Sequence, residues 1–170
     1  MTDWRDDIHK IFTENDIQQV SYVPDAGHAR VIDLCREDNR MNAVPMTTEM
    51  EGIGLACGAW LGGQKAVILM QSSGVGNCIN ALSLPAVCQF PLLMLVAMRG
   101  EFGEGQRWQM PMGHAVRPSL EAMGVVCYDV KHAADVRPVL ENAITYAFQG
   151  HNRVALLLSQ QLIGAKKFTK

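Results

Sequence analysis

Three stretches of this sequence are almost entirely apolar, and they constrain the fold more than any other feature. They read KAVILMQ at 65–71, PLLMLVAM at 91–98 and RVALLLS at 153–159. Apolar runs of this length, without polar alternation, are typical of strands buried on both faces of a parallel sheet. Parallel neighbours need crossover connections, which are usually helices. We therefore expect helices between these runs, covering both faces of a sheet.

The rest of the chain alternates between strand and helix patterns in the way such a sheet requires. At 170 residues one compact core is the default. We predict an α/β fold: one domain, residues 1–170, with a doubly wound sheet of about six parallel strands and helices on both faces. The glycine- and proline-rich segment 99–113 is predicted to be a loop. Further strands are predicted at 20–24, 42–46 and 125–130, and helices at 4–18, 29–36, 48–61, 77–87, 115–123 and 133–148.

Composition argues against several classes of partner. The formal net charge of -2 provides no basic field for nucleic acid. The apolar runs are far shorter than the roughly 20 residues of a membrane-spanning helix, and the charged first ten residues lack the apolar core of a secretory signal. Five scattered cysteines without a C-x-x-C pair predict buried free thiols and no metal site. We expect a cytoplasmic protein that binds neither nucleic acid nor membrane.

One candidate ligand-binding segment follows the strand at 65–71. Ligands of parallel sheets bind beyond the carboxyl ends of the strands. QSSGVGN at 71–77 lies at such an end and is predicted to form a loop that opens a helix, where free amide groups favour an anion. The segment is neither a Walker loop nor a full dinucleotide fingerprint, and a plain strand-to-helix turn is the alternative.

A second candidate is TTEMEGIGLACGAW at 47–60. Here a carboxylate, Glu51, lies at the start of a predicted helix in which many of the following residues are glycine, alanine or cysteine. A glycine inside a helix costs about 0.5–1 kcal/mol relative to alanine, so Gly52, Gly54 and Gly58 oppose helix formation. Because these glycines have no side chains, the helix face that they form would let another backbone approach closely. A carboxylate in the first turn is also favoured by the helix dipole, so a structural charge is the alternative reading of Glu51.

Taken together, these blocks resemble a known family. T-x-E-x-E-G-x-G-x-A-x-G-A precedes a strand, then M-Q-x-S-G-x-G-N, then a strand that ends in R-G-E. The pattern, over about residues 5–160, resembles the pyrimidine-binding domain of thiamine diphosphate enzymes. Within that group it is most similar to sulfopyruvate decarboxylase alpha subunits, with phosphonopyruvate decarboxylases very near. The resemblance implies the thiamine diphosphate-binding fold and a carboxy-lyase that converts a small anionic 2-oxoacid, most simply sulfopyruvate to sulfoacetaldehyde and CO2.

The resemblance also implies roles for individual residues. Glu51 aligns with the glutamate that hydrogen-bonds the aminopyrimidine ring of the cofactor, and His28 lies in a loop expected to reach the site of a neighbouring subunit; these two are the catalytic candidates. The cofactor-binding candidates are Glu51, Gln71, Ser72, Ser73, Gly74 and Asn77. Donors for an anionic substrate would come from His28, Arg30, Arg99, Arg107 and Gln109. A surface loop histidine is the alternative for His28, and an ion pair with Glu101 or Glu104 is the alternative for Arg99.

The sequence lacks the G-D-G motif with which the family's diphosphate-binding domain begins its metal site. This implies a separate beta subunit that holds Mg2+ and the diphosphate, in an alpha2beta2 or larger assembly. Phosphonopyruvate or another 2-oxoacid remains an alternative substrate. A non-catalytic subunit that retains the fold and an independent nucleotide-binding module are the alternatives from other functional classes.

Overall fold

The structure is a computed structural model, and it describes residues 3–164. The elements in chain order are α1 (Trp4–Glu14), β1 (Ile17–Tyr22), α2 (Ala29–Glu37), β2 (Asn42–Pro45), α3 (Glu49–Leu61), β3 (Lys65–Gln71), α4 (Ser72–Cys78), α5 (Ser83–Cys88), β4 (Leu92–Ala97), α6 (Met110–Ala122), β5 (Val126–Val130), α7 (Ala133–Phe148), β6 (Arg153–Leu158) and α8 (Gln160–Ile163). Two short 3-10 turns lie at Asn80–Leu82 and Arg107–Gln109.

All strands in the described part of the chain join one parallel sheet with the order β2-β1-β3-β4-β6-β5. Helices α1, α2 and α7 cover one face, and α3, α4 and α6 cover the other. The predicted doubly wound α/β fold with about six parallel strands is therefore confirmed. No helix among residues 3–164 is long and apolar enough to cross a membrane.

The central strand β3 shows why the apolar runs have no polar alternation. Val67 and Leu69 pack into the core under α1, α2 and α7, whereas Ile68 and Met70 pack into the core under α3, α4 and α6. All four side chains are fully buried. Because both faces of the sheet are covered, every fully buried position of the strand is apolar.

Several predicted boundaries were wrong. The helix at 4–18 ends at Glu14, where the Asn15 side chain donates to the carbonyl of Ile11 and Asp16 adopts a positive φ of 56°, so β1 begins earlier than expected. The loop predicted at 71–77 is largely the helix α4, and the predicted helix at 77–87 is divided among α4, a 3-10 turn and α5. The loop at 99–113 ends early, since α6 begins at Met110.

The strand order places a crevice where the direction of winding reverses. From β1 the chain moves outward to β2, then returns to β3 on the other side of β1 and continues to β4. Loops that leave the carboxyl ends of β1 and β3 therefore diverge to opposite faces, and such a switch point is where open α/β sheets bind ligands. The segments at 23–28, 71–77 and 97–109 follow the carboxyl ends of β1, β3 and β4 at this crevice.

Candidate functional site

The first turn of α3 contains two carboxylates in different environments. Glu49 is buried, with 6% of its surface exposed, whereas Glu51 is exposed. The Glu51 carboxylate accepts a hydrogen bond from the Thr47 N–H at 2.9 Å, which satisfies a backbone group at the start of the helix. Glu51 is thus open to solvent within this chain, and Glu49 is the sheltered carboxylate of the turn. The catalytic role of Glu51 stays a prediction.

Glu49 is held against α4. The Asn77 side-chain amide donates to Glu49 Oε2 at 2.8 Å. The carboxyl group lies over the bare backbone of Gly74, where any Cβ would overlap Oε1 and Cδ. Among residues 3–164 no ion pair involves Glu49. The structure thus brings the predicted residues Gly74 and Asn77 to a carboxylate two positions before the predicted one.

A polar network covers the carboxyl end of β3. The Gln71 side chain donates from Nε2 to Asp25 Oδ1 at 3.0 Å, and its Oε1 accepts from Ser73 Oγ at 2.8 Å and from Gln109 Nε2 at 2.9 Å. Gln109 is 3% exposed, and its Oε1 has no hydrogen-bond partner among the described residues. The network joins the predicted residues Gln71, Ser73 and Gln109 to the loop after β1.

His28 lies inside the protein. Its ring is fully buried, and Nε2 donates to the carbonyl of Met70 at 3.2 Å, so Nδ1 is the acceptor nitrogen of a neutral ring; it has no partner among the described residues. Burial lowers the pKa of His28, against an opposing effect of the Asp25 charge. This position does not favour direct contact with a substrate or with another subunit, and it also excludes a surface loop histidine. The catalytic and substrate-binding roles of His28 are untested.

Arg99 is occupied by an ion pair. Its guanidinium donates to both carboxylate oxygens of Glu104, at 2.6 and 2.9 Å, with side-chain exposures of 13% and 2%. The Gln106 N–H and Gln160 Nε2 also donate to this carboxylate, at 2.7 and 3.1 Å. Hydrogen bonds from Arg99 hold the pKa of Glu104 at about 2. The ion pair that was the alternative for Arg99 therefore exists with Glu104, and it fixes the loop after β4.

The other predicted residues are divided between the site and the surface. Ser72 is fully buried, and its Oγ accepts from the Arg99 N–H at 3.1 Å, so it joins β3 to the loop after β4. Arg30 pairs with Asp6 on α1 at 2.9 Å, away from the network. Arg107 is exposed.

A cleft of about 230 Å³ opens beside the network. Asp25, Ala26 and Gly27 line one side, and Ala97, Arg99, Ile163 and Gly164 complete it. Its volume suits a small molecule of about ten heavy atoms, since a cavity of about 150 Å³ holds benzene. The ion-paired Arg99 is the cationic group in its wall. No cluster of three metal-ligating side chains occurs in residues 3–164.

The outer face of α3 is open. A Cβ at Gly54 or at Gly58 would meet no atom within 4 Å. Met50 and Leu61, which share this face by helical spacing, are 51% and 74% exposed. Nothing within the described chain offsets the cost of the two glycines.

Helical spacing could have identified Glu49 from the sequence. The buried positions of α3 are Glu49, Gly52, Ile53, Ala56 and Cys57, which follow the i, i+3, i+4 spacing of one face. Glu51, by contrast, lies three residues before Gly54 and seven before Gly58, so these three residues share the exposed face of the helix. Asp25 had no such signal, because it lies in a loop and is identified only by its contact with Gln71.

Comparison with solved structures agrees with the α/β fold described above. The chain is similar to the 2-oxoglutarate:ferredoxin oxidoreductase from Magnetococcus marinus, with a TM-score of 0.75 at 15% identity, covering 92% of this chain and 28% of that one. At this identity the likeness shows the fold alone: the chain has the α/β fold of one domain of that larger protein. No family model matches the sequence.

Comparison with curated proteins identifies the family. The chain is 33% identical over 152 residues to the sulfopyruvate decarboxylase subunit alpha of Methanococcus maripaludis, covering 89% of this chain and 91% of that protein. The corresponding subunit of Methanocaldococcus jannaschii is also 33% identical, over 88% of this chain and 89% of that protein. A phosphonopyruvate decarboxylase of Streptomyces viridochromogenes is 33% identical over 52% of this chain and 22% of its own length. The chain belongs to the family of sulfopyruvate decarboxylase alpha subunits.

Proposed function

We propose that this chain is the alpha subunit of a thiamine diphosphate-dependent 2-oxoacid decarboxylase that converts sulfopyruvate to sulfoacetaldehyde and CO2. The observation that carries the proposal is the similarity to sulfopyruvate decarboxylase alpha subunits along nearly nine tenths of the chain, together with two carboxylates in the first turn of α3. The relatives support the substrate, because those matched along most of the chain are sulfopyruvate decarboxylases.

The residues of this chain fit the cofactor at one point. Glu51 offers an exposed carboxyl group in the first turn of α3, on the helix face where Gly54 and Gly58 leave open space. Such a carboxyl could hold a proton against a ring nitrogen of the aminopyrimidine. When bound, thiamine diphosphate supplies the electron sink for the electrons left as CO2 departs. We assign the ring contact to Glu51, which aligns with the family's ring-contacting glutamate, with the buried Glu49 as the competing candidate.

The remaining predicted residues have more limited roles in this proposal. Gln71, Ser72 and Ser73 would shape the floor of the site through the network over β3. Gln109 has a buried carbonyl oxygen that could accept a hydrogen bond from a ligand. Arg107, exposed and outside the ion pairs of the described residues, is the candidate for binding the sulfonate. Arg30 and His28 are less suitable because one pairs with Asp6 and the other is buried.

The proposal includes a beta subunit that carries the diphosphate and Mg2+, in a cytoplasmic alpha2beta2 or larger assembly. Relatives of nearly the same length are named as alpha subunits. In the sulfopyruvate decarboxylase of Methanosarcina acetivorans the 120 matched residues make up 31% of the protein, so most of that chain lies outside the match. The open face of α3 would be one surface where such a partner packs.

The test compares Glu49→Gln with Glu51→Gln in the complex reconstituted with its partner subunit. Loss of a positioned acid typically lowers turnover by a factor of about 10² to 10⁴. We expect this loss for Glu51→Gln, with assembly intact, and a smaller change for Glu49→Gln, whose carboxyl packs against α4. The opposite result would transfer the role to Glu49, and full activity in both variants would refute the catalytic proposal.

Steady-state rates with sulfopyruvate, phosphonopyruvate and a branched 2-oxoacid decide the substrate. Phosphonopyruvate is the second candidate because two phosphonopyruvate decarboxylases match about half of this chain. We expect the highest kcat/KM with sulfopyruvate. A higher value with phosphonopyruvate would overturn the substrate assignment while leaving the decarboxylase assignment intact.

A further inference from the structure

We propose that Gln71 is a positioning residue that joins the loop after β1 to the turn that carries Arg107, and that it thereby sets where the anionic group of the substrate is held. The inference rests on the proposed function, because it takes Arg107 as the residue that binds the sulfonate. It deepens that function by naming the side chain on which the position of Arg107 depends.

Three hydrogen bonds fix the direction of the Gln71 side-chain amide. Its Oε1 accepts from Ser73 Oγ at 2.8 Å and from Gln109 Nε2 at 2.9 Å, while its Nε2 donates to Asp25 Oδ1 at 3.0 Å. A carboxylate only accepts hydrogen bonds, so the NH2 group of Gln71 must face Asp25. A rotated amide would place its oxygen against the carboxylate and its NH2 group against two donors. The side chain therefore has one orientation that satisfies all of its partners.

On one side the Gln71 amide holds the loop after β1. The second oxygen of Asp25, Oδ2, accepts from the Gly27 N–H at 3.0 Å, so each carboxylate oxygen has a donor. Asp25 and Gly27 line the cleft of about 230 Å³ together with Ala97, which pairs with Gln71 across β3 and β4. The contact between Gln71 and Asp25 thus holds one wall of the cleft against the end of the sheet.

On the other side the amide holds the turn Arg107–Gln109. Gln109 is 3% exposed, and its Nε2 donates to Gln71, whereas Arg107 in the same turn is exposed. The beginning of the turn is held by the Gln106 N–H, which donates to Glu104 Oε1 at 2.7 Å. Arg107 therefore lies between two anchors, and Gln71 is the anchor that joins the turn to the sheet.

Packing keeps the turn folded even without this anchor. A Cβ at Gly100 would lie 2.7 Å from the carbonyl oxygen of Gln109, so the two backbones are in close contact. Loss of the Gln71 hydrogen bonds should therefore let the turn shift without unfolding it. A shift of about 1 Å in a group that positions the substrate can cost a factor of about 10² in rate.

The experiment exchanges the amide and the carboxylate in the reconstituted complex. Gln71→Glu places a carboxylate against Asp25 and should separate the two segments. Adding Asp25→Asn restores the net charge and a hydrogen bond of reversed direction. We expect Gln71→Glu to raise KM for sulfopyruvate by about 10-fold at saturating thiamine diphosphate, the size of one lost hydrogen bond to a charged group. The change in kcat should stay below about 3-fold, and the exchanged pair should return KM to within about 3-fold of the native value.

Two controls separate position from charge. Gln64→Glu makes the same substitution next to the amino end of β3, where Gln64 Oε1 accepts from Gln19 Nε2 at 2.7 Å, and it should leave KM unchanged. In an Arg107→Ala background, Gln71→Glu should raise KM no further, because both changes act on the same substrate contact. If Gln71→Glu lowers the unfolding temperature, Gln71→Met, which removes the amide without adding charge, should raise KM in the same way.

A readout other than turnover tests the contact itself. In the complex without substrate, the side-chain amide resonances of Gln109 should shift in Gln71→Glu, return in the exchanged pair and stay in place in Gln64→Glu. The inference is overturned if Gln71→Glu leaves KM unchanged, if the exchanged pair does not restore it, or if the full effect persists beside Arg107→Ala. A native complex that does not decarboxylate sulfopyruvate would end the proposed function, whereas the Gln109 resonances would still decide whether Gln71 joins the two segments.

Discussion

The ion pair between Arg99 and Glu104 gives the sharpest stability prediction. The Glu104 carboxylate accepts hydrogen bonds from the Arg99 side chain, from Gln106 N and from the Gln160 side chain, and it is 2% exposed. Glu104→Gln keeps the shape of the side chain but removes its charge. Arg99 then remains largely buried without a counter-ion, which is the costly case for such pairs.

The pKa of Glu104 gives the size of the effect. The folded value of about 2 lies about 2.5 below the usual 4.5, and each pKa unit corresponds to about 1.4 kcal/mol. The carboxylate therefore contributes about 3 kcal/mol, at the low end of the roughly 3–5 kcal/mol expected when one partner of a buried pair is removed. For a chain of this length, 3 kcal/mol corresponds to a fall of about 10 °C in Tm.

The pH dependence has a definite sign. Because the folded pKa is lowered, the contribution is fully present above the unfolded value of 4.5 and is lost as pH falls toward 2. Urea unfolding at pH 7, 5, 4 and 3 gives the free energy of unfolding of the native protein and of Glu104→Gln. The difference between the two free energies should become smaller below about pH 4.5.

The matched control is Glu121→Gln, which breaks an exposed pair with Arg117. Glu121 is 51% exposed, so its loss should cost at most about 1 kcal/mol. Equal unfolding free energies for Glu104→Gln and Glu121→Gln, or a gap that stays constant down to pH 3, would refute the reasoning.

Two further predictions concern the surface. Gly54→Leu and Gly58→Leu meet open space within the chain and should raise helix stability by about 0.5–1 kcal/mol each, yet weaken co-purification with the partner subunit. Unimpaired assembly in both variants would mean that the face of α3 is not an interface. Cys88 is exposed, whereas burial raises the pKa of Cys78 to about 12 and that of Cys127 to about 11. Ellman's reagent at pH 8 should therefore modify Cys88 first, and a fast phase that persists in Cys88→Ser would contradict this.

Much of the fold could be predicted because segments that are buried in the core have a recognisable apolar composition. A strand covered on both faces has no position that tolerates a polar side chain, so β3, β4 and β6 were recognisable as apolar runs. Helix and strand boundaries that depend on one or two polar contacts were harder to predict from the sequence. The end of α1 is set by Asn15 and by the positive φ of Asp16. Asn and Asp favour turns, but one such pair inside a periodic run is a weak signal.

The sequence by itself determined the α/β architecture, the segments that carry the site and the resemblance to a family. Only the tertiary structure decided which carboxylate in the first turn of α3 is sheltered, that Arg99 is occupied by Glu104, and that His28 is internal. The physical reason is that a side chain's environment depends on neighbours distant along the chain. Glu49 is buried because Gly74 and Asn77, about 25 to 28 residues later, fold back over it.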